Sequence, residues 1–230
     1  GKLRREMTIE DNLMQLRENI AEAALRSGRN PEEVKLIAVT KTVGEATIRE
    51  AISLGVGRIG ENRVQELLEK YDSYGNAEKH LIGQLQTNKV KKVVGKVDLI
   101  HSVDRLSLAK EINRCAKAAG IVCPVLIQVN IGREVQKGGV LPEGLVELAG
   151  AMLEMNNIAP LGLMTVPPVC TSIEARGYFA SLRKLLHNCN SELCTNMSEL
   201  SMGMSADYCE GIIEGATFIR VGIALFGKRL

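Results

Sequence analysis

Val34-Lys35-Leu36-Ile37-Ala38-Val39-Thr40-Lys41 decides how the rest of the chain is read. Five of its residues are apolar and three of those are β-branched, the composition of a strand buried in a parallel sheet. The run stops on a lysine. Where a buried strand ends at the mouth of a protein, partial desolvation favours the neutral amine, which can attack a carbonyl and form a Schiff base. Most lysines are solvated, so the run alone gives no more than an exposed strand end. The remaining residues have to decide.

Working outward, strand-like and helix-like segments alternate along the whole chain. The strand candidates start at Val34, Arg58, His80, Asp98, Pro124, Ile158, Glu199 and Thr217, with helical patterns between them. About eight strand–helix units over roughly 200 residues predict a closed (β/α)8 TIM barrel, with a doubly wound open sheet as the alternative. Ahead of them, Ile9, Leu13, Leu16, Ile20 and Ala24 form one apolar stripe that Thr8 caps and Asn30-Pro31 stops. The expectation is therefore a single domain over 1–230, an extra N-terminal covering helix over 7–28 and the barrel over 34–227.

Composition narrows the function. A net charge of +2 and 3% aromatics leave nothing to attract and stack nucleic acid, and the Lys89–Lys96 patch reads as a solvated helix face. No apolar run reaches membrane-spanning length and the charged start leads into no signal-peptide core, so a cytoplasmic protein is expected. Six scattered cysteines without a C-x-x-C pair read as free thiols, and His187, Cys189 and Cys194 fit no zinc spacing, so no metal is assigned. Gly55-Val56-Gly57-Arg58-Ile59-Gly60 matches a dinucleotide fingerprint in letters only. The fingerprint needs a strand before and a helix after, and here the order is inverted.

A barrel of this type carries its chemistry at the carboxyl ends of the strands. The polar residues expected there are Lys41, Glu61-Asn62, His80 with Gln84, His101-Ser102, Gln128 with Asn130, Thr165, Ser205 and Arg220. In Phe218-Ile219-Arg220-Val221-Gly222-Ile223 a strand runs straight into a glycine, and bare amides at such a point bind phosphate. Met202-Gly203-Met204-Ser205 offers a second glycine and a hydroxyl to the same phosphate. Arg220, inside the strand, needs a carboxylate or a ligand ring nitrogen as acceptor. Tight packing of Gly222 with an internal Arg220 ion pair is the bland alternative; phosphate binding is preferred.

With Ala38-Val39-Thr40-Lys41-Thr42, Gly60-Glu61-Asn62-Arg63-Val64-Gln65-Glu66, His80-Leu81-Ile82-Gly83-Gln84, His101-Ser102-Val103-Asp104-Arg105, Ser201-Met202-Gly203-Met204-Ser205 and Arg220-Val221-Gly222 assembled, the sequence resembles the pyridoxal phosphate homeostasis protein family, itself similar to the amino-terminal barrel of alanine racemase. The resemblance implies a barrel holding pyridoxal 5′-phosphate, with the internal aldimine on Lys41 and Arg220 facing the pyridine nitrogen. It implies Ser205 and the backbone at Gly222 and Ile223 around the phosphate, and Asn62, His80 and Met204 lining the pocket. Two positions depart from the family's pattern: Val43 stands where many members have a second lysine, and Ile223 where threonine is common.

The resemblance leaves carrier and catalyst to be separated. Racemisation needs two bases, and in racemases of this fold a tyrosine from a second domain supplies one; this sequence, ending after the eighth strand, is expected to lack it. An arginine at the ring nitrogen also keeps that nitrogen unprotonated and weakens the cofactor as an electron sink. The expectation is a non-catalytic monomeric carrier that serves apo-enzymes as acceptors, with a weak racemase as the alternative.

Overall fold

The computed structural model describes residues 5–228, so the ends of the expected 1–230 span lie outside the described residues. Within them eight strands close into one all-parallel barrel in chain order. They are β1 (Lys35–Val39), β2 (Arg58–Glu61), β3 (Glu78–Leu81), β4 (Leu99–Val103), β5 (Cys123–Gln128), β6 (Ile158–Met164), β7 (Glu199–Ser201) and β8 (Phe218–Val221). β8 returns beside β1 with Lys35 opposite Phe218 and Ile37 opposite Arg220. The helices are α1 (Ile9–Arg26), α2 (Glu45–Ser53), α3 (Val64–Glu69), α4 (Val90–Val93), α5 (Leu106–Ala119), α6 (Leu145–Leu153), α7 (Ser172–Leu193), α8 (Tyr208–Ile213) and α9 (Ile223–Phe226).

Strands buried on both faces need two cores, and both are present. A large one lies between the barrel and its helices, and a small one of Ile37, Leu99, Leu126, Met164 and Phe218 fills the barrel itself. Two glycines set how closely the strands approach. A Cβ on Gly60 would stand 2.8 Å from Ile37, and one on Gly162 would stand 1.8 Å from the Glu199 carbonyl oxygen. Charges close the amino-terminal end of the barrel: Lys35 meets Glu199 at 2.9 Å and lies 4.1 Å over the Phe218 ring, while Arg58 meets Glu78 at 3.1 Å.

The covering helix covers the last two elements. Thr8 and Asp11 form a reciprocal cap, and the apolar stripe of α1 is buried at Leu13, Leu16 and Ile20. Burial of each such side chain stabilises by about 1.5–3 kcal/mol. Polar ties fix what it packs on: Asn12 Nδ2 donates to the Leu225 carbonyl at 2.8 Å and Arg29 Nη1 to the Ile212 carbonyl at 2.7 Å. Asn12 ties α1 to α9, and Arg29, three residues beyond α1, ties the same segment to α8; these two helices flank the eighth strand.

Among the boundaries that differ from the sequence reading, three change where side chains lie. The first strand stops at Val39, and Lys41 lies in the turn beyond it, because the Thr40 N–H makes its bond to Gly60 and the chain then turns. β3 begins at Glu78, two residues before His80, since Glu78 and Lys79 pair with Arg58 and Ile59 despite their polarity. α7, for which the apolar pattern predicts a helix over 173–187, runs six residues past His187, as Leu186 and Cys189 continue its buried face, and ends where Cys194 adopts φ 50°. The inverted glycine motif is the turn from α2 into β2, with Gly55 at φ 105°.

Candidate active site

Arg220 is 3% exposed and forms no ion pair with any described residue. The internal carboxylate considered as its partner is absent among them. Its Nη1 donates to the Ser201 hydroxyl and its Nη2 to the Thr165 carbonyl at 2.9 Å, so β6, β7 and β8 together hold the guanidinium. Burial pulls its pKa down to about 10, and the group stays cationic at neutral pH. A buried cation supported only by neutral acceptors retains an unmet demand for an electron-rich ligand atom.

Immediately beyond Arg220, backbone donors converge. The Gly222 and Ala224 N–H groups donate to the Ser205 hydroxyl at 3.3 and 3.1 Å. Ser205 is brought there by a turn in which Gly203 has φ 101° and the Met204 N–H donates to the Asp207 carboxylate at 2.7 Å. A side chain at Gly203 would be strained at that φ and would place its Cβ 3.0 Å from Tyr208 Cα. Ser205, Gly222 and Ala224 thus form one donor cluster, with Met204 and Ile223 exposed beside it. The sequence reading named Gly222 and Ile223; the amide drawn onto Ser205 beside that of Gly222 belongs to Ala224.

Lys41 is exposed and free of hydrogen bonds and ion pairs with the described residues. This corrects the expected partial desolvation. Placement comes from its neighbours instead. Thr42 has φ 60°, a conformation that a β-branched residue adopts only under constraint. Its N–H donates to Glu66 Oε1 at 2.5 Å, and that oxygen also accepts from Lys70 at 2.5 Å. Lys70 donates in turn to the Thr40 carbonyl at 2.8 Å. Deeper, fully buried Glu61 accepts from the Thr40 hydroxyl and from the Tyr74 hydroxyl at 3.0 Å.

The two carboxyls of this clamp differ. Burial pushes the Glu61 pKa up, against the opposing pull of Thr40 and Lys70. Glu66 is also penalised by burial, but the hydrogen bonds from Lys70 and the Thr42 N–H outweigh it and hold the carboxyl below its usual range. Val43, which replaces a lysine of the family's pattern, is 6% exposed and packed in the outer core.

His80 is a correction. Expected to line the pocket, it is 1% exposed in mid-strand, with Nδ1 bonded to His101 Nε2 at 2.9 Å and Nε2 to Glu78 at 3.3 Å. Its ring reaches the Phe218 ring of the barrel's interior. The shift of β3 by two residues is the reason. Asn62 follows β2 and lines an outer groove with Gln84 and Lys89. Asn130 ties its own loop, donating to the Glu134 carbonyl at 2.8 Å.

Ser201, Thr42 and Glu66 were not singled out from the sequence. Ser201 had one available signal: it lies two residues after Glu199 on β7, as Arg220 lies two after Phe218 on β8, and strand alternation puts all four on the inner face.

Residues 12–229 match the family model described as the alanine racemase N-terminal domain. The chain is 47% identical over 222 residues to the pyridoxal phosphate homeostasis protein of Aquifex aeolicus (strain VF5), covering 95% of this chain and 97% of that protein. PipY of Synechococcus elongatus PCC7942, solved with PLP bound, superposes with a TM-score of 0.81 at 37% identity, covering 93% of this chain and 100% of that one. The alanine racemase of Clostridium difficile 630, solved with cycloserine, gives a TM-score of 0.76 at 19% identity over 95% of this chain and 60% of that one, a likeness of fold.

Proposed function

The chain belongs to the pyridoxal phosphate homeostasis protein family, and from that premise we propose that it holds and delivers pyridoxal 5′-phosphate, with Lys41 as the covalent anchor. The observation that carries this reading is the buried Arg220 guanidinium without a carboxylate, directly followed by amides gathered on the Ser205 hydroxyl. An aromatic ring nitrogen suits the first and a phosphate suits the second. When bound, the cofactor supplies an aldehyde that condenses reversibly with a primary amine, releasing water.

Lys41 is the amine in this proposal, held at the mouth by the Thr42–Glu66–Lys70 clamp. Arg220 takes the ring nitrogen as a donor and keeps its own proton. Ser205 and the backbone N–H groups of Gly222, Ile223 and Ala224 take the phosphate, while Asn62 and Met204 flank the opening.

The role is that of a carrier without efficient turnover. Tyr208, the tyrosine nearest the phosphate cradle in sequence, is 8% exposed, and its hydroxyl accepts from Asn19 of α1 at 2.8 Å. That tie directs it toward the covering helix and away from service as a second base. The same proposal includes a cytoplasmic monomer that loads apo-enzymes; no helix of the described residues is long and apolar enough to cross a membrane.

The test is uptake and release. The protein should bind one equivalent of pyridoxal 5′-phosphate, activate an added apo-enzyme, and exchange no α-proton from amino acids in deuterium oxide above background. Turnover of an amino acid by the loaded protein would replace the carrier with a racemase-like enzyme.

A further inference from the structure

A single file of hydrogen bonds runs through the inside of the barrel. From its amino-terminal end it passes Glu78 Oε1, His80 Nε2 at 3.3 Å, His80 Nδ1 to His101 Nε2 at 2.9 Å, His101 Nδ1 to Ser201 Oγ at 2.9 Å, and Ser201 Oγ to Arg220 Nη1. Four strands contribute to it: β3, β4, β7 and β8.

With both imidazoles neutral, the two ends fix every proton between them. Glu78 also meets Arg58 at 3.1 Å, and its hydrogen bond to His80 holds its carboxyl low, so it is an acceptor only. His80 therefore carries its proton on Nε2 and offers Nδ1 as acceptor. His101 must then donate from Nε2 and accept at Nδ1, which makes Ser201 donate to His101. At the far end the guanidinium is a donor only, and the Ser201 oxygen receives it. Every link then has one donor and one acceptor. A second proton on His101 would set its Nδ1–H against the Ser201 hydroxyl proton. Burial, then His80 and Arg220, keep His101 well below the ordinary histidine range.

We infer that Ser201, His101 and His80 are positioning residues for Arg220, a one-directional chain that fixes the plane and the donor character of the guanidinium toward the ring nitrogen of the ligand. The inference rests on the function proposed above. Charge-assisted hydrogen bonds are directional, and the Thr165 carbonyl on Nη2 supplies the second fixed point. Among the described residues no other acceptor takes a hydrogen from Arg220, which leaves its other N–H groups for the ligand.

Nitrogen-15 NMR of the ligand-free protein tests the chain by itself, because the sequence holds three histidines. At neutral pH two should appear protonated on Nε2 alone, and His101 should stay so as pH falls to about 5.5, roughly one unit below the ordinary histidine pKa. An Nδ1–H on either His80 or His101 at neutral pH, or a charged His101 ring at the lower pH, would overturn it. The ligand half is tested with Ser201→Ala. It should release pyridoxal 5′-phosphate about tenfold faster and shift the absorption band of the bound ligand, and Ser201→Thr, which keeps the hydroxyl, should restore both. A Ser201→Ala protein with the wild-type band and release rate would overturn the positioning role. Failure of the unaltered protein to take up the cofactor would instead remove the proposed function and the ligand half with it, leaving the NMR result to decide the chain.

Discussion

The Thr42 backbone N–H is bound by the Glu66 carboxylate at 2.5 Å, and this bond holds the residue after Lys41 at φ 60°. A β-branched residue in the left-handed region costs about 1–3 kcal/mol unless its surroundings impose it. The cost falls beside Lys41, the anchor proposed above. Thr42→Gly should remove it and raise the stability of the free protein by about 1 kcal/mol, while slowing uptake of pyridoxal 5′-phosphate because the turn is no longer confined. Denaturant midpoints and stopped-flow absorbance measure the two effects. A stabilised variant with unaltered uptake would show that the strain has no bearing on Lys41.

Removal of the clamp should do the reverse. Glu66→Ala leaves the Thr42 N–H and the Lys70 ammonium without their shared acceptor. We expect a loss of about 1–3 kcal/mol, the cost of orphaning partly buried polar groups, together with slower uptake. Equal uptake by the folded variant would contradict the role of Glu66.

The phosphate cradle proposed at Ser205 should separate two ligands. Ser205→Ala deprives the Gly222 and Ala224 amides of the hydroxyl. It should weaken pyridoxal 5′-phosphate about ten- to fifteenfold, the worth of one charge-assisted hydrogen bond at the lower end of its range, and leave pyridoxal itself unaffected. Ile223→Thr adds a hydroxyl at a 58% exposed position. It should tighten the phosphate ligand a few-fold with stability changed by less than about 0.5 kcal/mol. Titration of both ligands against each variant gives the comparison.

His101 links the fold to pH. Burial keeps the ring neutral in the folded state, so its folded pKa lies below the unfolded value of 6.5. As pH falls through that value the unfolded chain binds a proton that the folded chain refuses, and stability declines. The slope from this group approaches about 1.4 kcal/mol per pH unit below about pH 6. Denaturant unfolding of wild type and His101→Gln between pH 7.5 and 5 should show a shallower decline for the variant. Parallel curves would remove His101 as the source.

The fold was largely legible because a strand buried on both faces keeps an apolar run and a helix buried on one face keeps an apolar stripe. α5 was bounded correctly at both ends by its stripe of Leu108, Ile112 and Cys115 and by Gly120. Strand starts were less visible. Glu78 and Lys79 are charged because they form part of the barrel's polar lower end, and their polarity hid two residues of β3; His80 was placed at the mouth as a result. The meeting of Ser205 with the backbone at Gly222 was readable from Gly203, Ser205 and Gly222, where backbone demand selects the residue type. The Glu61–Glu66–Lys70–Tyr74 clamp was not, since its members come from one strand, one helix and the turn beyond it, and no periodicity marks their meeting.

The central claim is that Lys41 anchors the cofactor. Incubation with pyridoxal 5′-phosphate, reduction with borohydride and peptide mass mapping test it most directly. The account predicts one reduced adduct per chain, on the peptide containing Lys41, and none in Lys41→Ala. An adduct distributed over surface lysines, or one that persists at full yield in Lys41→Ala, would contradict it.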